Sequence, residues 1–345
     1  MLTLVYKAER IKWVDAAKGI AILLVILGHT ISEVGTLTEQ TARALIFSFH
    51  MPLFFILSAL TYQFSKSTQE YKTKLKKNFK RLIIPALVLY GLRILVYIVS
   101  DFSRIEWLNF AINRLNVLFW GSGSTVHLSG QNVFPFGMMW FFLVLFLSRS
   151  IFDFFYLRFS RLWFIISSVL FSFLGVGISY VCWLPLSLDV SFAVIMFLLF
   201  GYYLKSFDMS QKSRLRGAVC FIFWIGLLFS IVYFTHDYLE LALRRYPIFP
   251  VCYITAFAGM MFIAYLCNWL VKFMKIVMPL LYLGKNSFWL YCVHAMDYIY
   301  IFLWDVSCNN FINGGIRILL DIFFCILLLE TIKIIRFISR RGKAL

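Results

Sequence analysis

Apolar runs close to the roughly 20 residues needed to cross a bilayer recur along the whole chain, and the polar stretches between them are too short to hold a soluble domain. Composition points the same way. A chain of 345 residues that is 62% hydrophobic and 14% charged, with mean hydropathy +0.84, is excluded from the soluble globular class. The expected fold is all-α, a polytopic membrane helix bundle, with residues 1–345 forming one membrane domain.

The first apolar run follows a basic start but carries Asp15 and Lys18 and lacks a small-residue cleavage site, so it reads as a retained helix. The seven cysteines fall mostly inside apolar runs, without a CxxC pair or a histidine neighbour. That pattern indicates neither a disulfide framework nor a metal site.

The net charge of +17 would suggest nucleic acid in a soluble protein, but its placement excludes that reading here. Basic residues gather in every second connection. They precede the first run (Lys7, Arg10, Lys12), fill the segment from Lys66 to Arg81, and return at Arg158 and Arg161. Lys205 to Arg216, Lys272 with Lys275, and Arg336 to Lys343 complete the set. Arg104, Arg114, Arg244 and Arg245 are exceptions. The positive-inside rule assigns such loops to the cytoplasm.

Ten transmembrane helices with both termini cytoplasmic follow, over about 14–33, 43–63, 82–100, 138–155, 162–182, 190–204, 217–234, 249–270, 279–303 and 316–336. The longest polar connection, Trp120 to Gly137, lies on the other side, where it is either a substrate entrance or a plain surface loop.

In this topology three of the five histidines share a depth. At about 1.5 Å per residue, His29 lies some 20 Å up the first helix, His294 is similarly placed on the ninth, and His50 is about 10 Å below the outer end of the second. His127 and His236 lie outside that level. Lys18 and His29, eleven residues apart, fall on one helix face within about 20°, and Asp15 continues that stripe. Ionisable groups at membrane depth normally face a bundle interior or a wet cavity, so the seam marks a candidate functional site. The alternative for Asp15 and Lys18 is a pair near the headgroups that orients the helix.

RIKWVDAAKGIAILLVILGHT (Arg10 to Thr30) resembles the first-helix signature of the acyltransferase-three family of integral membrane O-acyltransferases, and FHMPLFFILSA (Phe49 to Ala59) resembles the second-helix signature of its sugar O-acetylase branch. KLKKNFKRLIIPAL (Lys74 to Leu87), MWFFLVLF (Met139 to Phe146) and LGKNSFWLYCVH (Leu283 to His294) resemble later motifs of the same family, in the same order.

The resemblance implies transfer of an acyl group, commonly acetyl, from cytoplasmic acyl-CoA to a hydroxyl of a cell-surface or lipid-linked glycan, in a bacterial inner membrane. It implies acyl-CoA as co-substrate and no resident cofactor. Glycan-synthesis proteins are further possible partners. A sugar hydroxyl is a poor nucleophile at neutral pH, and a neutral imidazole can take its proton during attack on the thioester. His29 is the candidate base. Lys18, about 16 Å below it on the same face, lines a route for the pantetheine arm, whereas Asp15 lies too far along the helix to be assumed a partner.

Lys76, Lys77, Lys80 and Arg81 are candidates for the CoA phosphates, though a basic inner loop is also what topology alone requires. His50 and His294 either position the acceptor or stabilise an oxyanion, or are buried structural histidines. Trp140 offers a stacking surface for a sugar, or is ordinary packing. Pro52 falls where a kink widens a cavity. A transporter or flippase of glycan intermediates suits the same ten helices and polar cavity, and a non-catalytic scaffold is a third reading.

Overall fold

The computed structural model describes residues 11–102, 105–128, 131–207 and 213–341; Lys7, Arg10, Arg104, Lys212 and Lys343 lie outside them. In chain order the helices are α1 (Lys12–Gly28), α2 (Leu37–Phe47), α3 (His50–Thr61), α4 (Thr68–Asn78), α5 (Ile84–Asp101), α6 (Trp107–Trp120), α7 (Trp140–Arg158) and α8 (Arg161–Val181). They continue as α9 (Leu188–Ala193), α10 (Ile195–Leu204), α11 (Ser213–Thr235), α12 (Val251–Leu270), α13 (Met274–Lys285), α14 (Ser287–His294), α15 (Ile301–Trp304) and α16 (Asn310–Arg341). Among the described residues, six helical segments are long and apolar enough to cross a membrane. Two bent pairs raise the number to eight if each is one span. The protein is an all-α integral membrane bundle.

The observed helices depart from the expected ones at several places. The span expected at 43–63 starts earlier, at Thr36, whose hydroxyl and the Glu39 carboxylate form a capping box. It is also interrupted, because Phe49 adopts φ −144°, so that α2 ends at Phe47 and α3 begins at His50. Pro52 therefore sits in the first turn of a helix, where its missing N–H has no intrahelical acceptor to lose. It follows the break instead of kinking a continuous helix.

The basic segment before the third expected span is itself helical. α4 runs into α5 through a π turn, Phe79–Ile83. Pro85 cannot donate to the Arg81 carbonyl, and a wider turn absorbs the fault.

The ninth expected span is bent by 64° between α13 and α14, and the sixth by 44° between α9 and α10. Finally, α6 occupies a stretch expected to be a loop. Its Leu108, Ile112, Leu115 and Phe119 form one exposed apolar stripe, and at about 1.5 Å per residue the helix is too short to cross a bilayer. Beyond it, Val126–Leu128 (β1) pairs antiparallel with Gln131–Val133 (β2).

The centre of the bundle is α1, which packs against α3, α12, α13, α14 and α16. Its small residues explain how. Ala16, Ala17, Gly19 and Ala21 are buried, and a Cβ on Gly19 would fall on the Leu280 carbonyl, as one on Gly284 would fall on that of Asp15. Backbones in lipid approach this closely only where side chains are minimal. The α1–α13 contact thereby fixes the direction in which α1 points its last residues.

Candidate active site

Two cavities enter the bundle from opposite ends. At the end bearing α4, a cavity of about 370 Å³ is lined by Lys18, Lys74, Lys77, Arg81, Arg149, Ser58 and the rings of Phe141, Phe142 and Tyr291. At the other end, a crevice of about 30 Å³ is lined by His29, Phe47, His50, Trp140, Glu240 and again Tyr291. Tyr291 lines both, and its hydroxyl donates to the Met138 carbonyl at 2.6 Å. Trp140 faces the crevice and its neighbour Phe141 the basic cavity. The layer between the two spaces is thus about one side chain thick.

The three histidines expected at one depth lie near one another. The His29 and His294 rings lie 5.7 Å apart, and His50 stacks edge-on with Phe47 at 4.7 Å, itself 6.4 Å from His29. They are not equivalent. His29 is the exposed member, whereas His50 and His294 retain only 2% and 1% of their surface. His29 occupies the C-cap of α1, where the chain leaves the helix and turns the ring into the crevice.

The tautomers of the other two follow from their neighbours. His50 Nδ1 meets the Ile46 carbonyl at 2.9 Å and therefore carries the proton, leaving Nε2 as an acceptor. His294 Nδ1 meets carboxylate oxygens of Asp297 at 2.7 Å and Asp321 at 2.9 Å, and its Nε2 is buried without a hydrogen-bond partner among the described residues. The neutral His50 ring cannot donate to an oxyanion through Nε2 but can accept there from a hydroxyl.

The carboxylates beside His294 are themselves held. Arg317 donates to Asp297 through Nε at 2.5 Å and Nη2 at 2.9 Å, and through Nη1 to Thr30, the residue after His29, at 3.1 Å. Tyr300 donates to Asp321 at 2.6 Å. His294, Asp297 and Asp321 place potential ligand atoms within 4.8 Å of one another. However, the guanidinium and the phenol already occupy their oxygens, and the guanidinium would repel a cation. The trio fits a hydrogen-bonded network better than a metal centre.

A second network braces the crevice from α2. Arg43 donates to the carbonyls of Gly28 and Ile31, at 3.0 and 3.2 Å, capping the open C-terminal end of α1 next to His29. It also donates to Tyr238 at 2.7 Å, lies over the Phe47 ring at 4.2 Å and reaches Glu240 at 3.5 Å. Glu240 belongs to the segment joining α11 and α12. Burial pushes its carboxyl up to about 7, against the opposing charge of Arg43.

The residues singled out in the sequence divide cleanly. His29, His50 and Trp140 line the crevice; Lys18, Lys77 and Arg81 line the basic cavity. His294 stands behind His29. Lys76 and Lys80 are exposed and line neither space, and neither does Asp15, whose carbonyl lies at the α1–α13 crossing. Asp297, Arg317, Asp321, Arg43, Glu240, Arg149 and Tyr291 were missed. Arg317 and Asp321, one helical turn apart inside an apolar run, carried a readable signal, since charges at membrane depth seldom lack a purpose.

Residues 11–331 match the family model described as an acyltransferase domain. No curated protein and no solved structure gives a significant match. The family match spans nearly the whole bundle and takes in both cavities, and the chain belongs to the acyltransferase-three family of membrane acyltransferases.

Proposed function

We propose that this acyltransferase moves an acyl group, acetyl in the simplest case, from acyl-CoA in the basic cavity to a hydroxyl presented at the crevice. The acceptor is a cell-surface or lipid-linked glycan, and the membrane is the bacterial inner membrane. In this reading ten spans place both termini and α4 on the cytoplasmic side, so that donor and acceptor arrive from opposite faces.

The observation that carries the proposal is the pair of cavities that meet at Tyr291, cationic on one side and imidazole-lined on the other. Lys77 and Arg81, with Lys74 and Arg149, supply charge for CoA phosphates. Lys76 and Lys80 add to the field around the entrance. Lys18 lies on the path of the pantetheine arm. His29 takes the proton from the acceptor hydroxyl as its oxygen attacks the thioester carbonyl. The C–S bond then breaks, and the imidazolium returns the proton to the departing CoA thiolate. His50 Nε2 accepts a hydroxyl of the bound acceptor, and Trp140 offers it an apolar face.

The test is mass spectrometry of the surface glycan from cells expressing the native chain, the His29→Ala variant or neither, with membrane levels matched. The native chain adds an ester-linked acyl mass, which also names the acyl group, and the variant adds none. Equal acylation by the two would reject His29 as base. A change in glycan export without a change in acylation would replace catalysis with transport.

A further inference from the structure

The crevice is rich in hydrogen-bond acceptors. His50 Nε2 is left as an acceptor by the bond at Nδ1. Glu240 Oε2 is buried without a hydrogen-bond partner among the described residues, while Oε1 has only the long 3.5 Å contact from Arg43. Arg43 cannot come closer without cost, being committed to two carbonyls and a phenol. A buried carboxylate oxygen lacking a donor is costly, and a protein retains one where a ligand supplies the donor.

The Glu240 backbone is held in place from several sides. Its N–H and C=O pair with those of Arg245, at 3.1 and 3.0 Å. Two residues on, the Ala242 carbonyl accepts from Ser124 at 2.8 Å. Arg244 is driven into the bundle, where it donates to Asp189 at 3.0 Å, Ser122 at 2.7 Å and Ser187 at 3.1 Å. The segment is therefore pinned at the carboxylate and just after it, where it lines the crevice with His29 and His50.

We infer that Glu240 binds a second hydroxyl of the acceptor, next to the one that receives the acyl group, so that the site selects polyhydroxylated acceptors over simple alcohols. The inference rests on the acyl-transfer reading of the crevice. A water-accessible space of about 30 Å³ is enough for a hydroxyl-sized group. An acceptor that presents an edge there meets two hydrogen-bond acceptors, which read two of its hydroxyls. A carboxyl raised to about 7 by burial is further evidence of a group that gains from a donor.

The experiment uses the purified full chain in lipid nanodiscs with acetyl-CoA and a panel of methyl glycosides together with their monodeoxy forms. Glu240→Met removes the carboxylate at similar volume, and Glu240→Gln keeps a weaker acceptor if the first variant folds poorly. For the native chain, one deoxy position other than the esterified one should lower kcat/KM by about ten- to a hundredfold, as expected for a lost hydrogen bond to a charged group. Glu240→Met should lose a similar factor with the intact glycoside and nothing more with that deoxy form, and Glu240→Gln should lie between. Additive losses from the mutation and the missing hydroxyl would overturn the assignment of Glu240 while leaving acyl transfer intact. A native chain that esterifies no glycoside would instead overturn the acyl-transfer reading on which it rests.

Discussion

His29 and His294 face each other with ring centroids 5.7 Å apart and planes inclined at 46°, although 264 positions separate them in the chain. His29 is open to the crevice. His294 is closed off behind it, with one ring nitrogen committed to two carboxylates and the other uncommitted. The exposed ring is placed to meet a substrate, and the buried one to hold it in orientation.

That division can be separated by shape. Asn at position 294 retains a donor near the place of Nδ1 and lacks anything at Nε2, whereas Leu retains neither. His294→Asn is expected to unfold within about 1 kcal/mol of the native protein, and His294→Leu to lose about 3 to 5 kcal/mol by orphaning buried charge. Denaturation in matched detergent measures the difference. Equal stability of the two variants would mean that the carboxylates do not depend on the ring.

The basic cavity makes a charge-specific prediction. Lys77→Glu, Arg81→Glu and Arg149→Gln should each raise KM for acetyl-CoA by about tenfold or more, the scale of a charge-assisted hydrogen bond. Lys76→Glu and Lys80→Glu, whose side chains do not line the cavity, should raise it much less. High salt should erase the small effects of the outer pair, whereas that of Arg149, which is less exposed and lies 4.2 Å over the Tyr62 ring, should persist, because screening acts chiefly on exposed charge. Steady-state kinetics at two ionic strengths checks it.

The α1–α13 crossing allows no added atom without movement. Gly284→Ala and Gly19→Ala each force a methyl against a backbone carbonyl, and should cost about 1 to 3 kcal/mol by overpacking. Gly315→Ala, where a Cβ meets nothing within 4 Å, is the control and should be neutral or slightly stabilising in its helix. The yield of monodisperse protein and its melting temperature provide the comparison.

Stability should also depend on pH through Glu240. Its carboxyl rises from 4.5 to about 7 in the folded protein, first because of burial, with Glu33 and Asp237 adding to the rise and Arg43 and Arg245 opposing it. A raised carboxyl favours the folded state while protonated, so the contribution is complete below pH 4.5 and is lost as pH climbs through about 7. The loss is on the order of 3 kcal/mol. Glu240→Gln removes this slope, and melting curves from pH 4.5 to 8 show whether the native protein alone weakens. His29, His50, Glu33, Asp237, Tyr238, Arg43 and Arg245 are charged or titratable groups around it, and all remain in the variant.

The parts of this architecture visible in the sequence were those written in local chemistry. Hydropathy located the helical segments. Depth along a straight helix put His29, His50 and His294 at one level, and periodicity set Lys18 and His29 on one face. What failed was continuity, because bends at Asn286 and Val194 and the break at Phe49 depend on what each helix packs against. The second layer of the site was hidden for a related reason. Arg43, Glu240 and Asp321 acquire their roles only from partners up to about two hundred positions away, such as Glu240 for Arg43, and no spacing rule connects them. The cation cluster was found as a composition, but which lysines line the cavity depends on how α4 sits against the rest of the bundle.

Tyr291 and the adjoining Trp140 and Phe141 also have an electrical consequence. In the proposed orientation, with the two cavities open to opposite faces, part of the voltage across the membrane would fall over this layer. A unit charge that crosses the layer does work of about 2.3 kcal/mol per 100 mV. In that orientation any step that carried net charge past Tyr291 would be coupled to the energised state of the membrane.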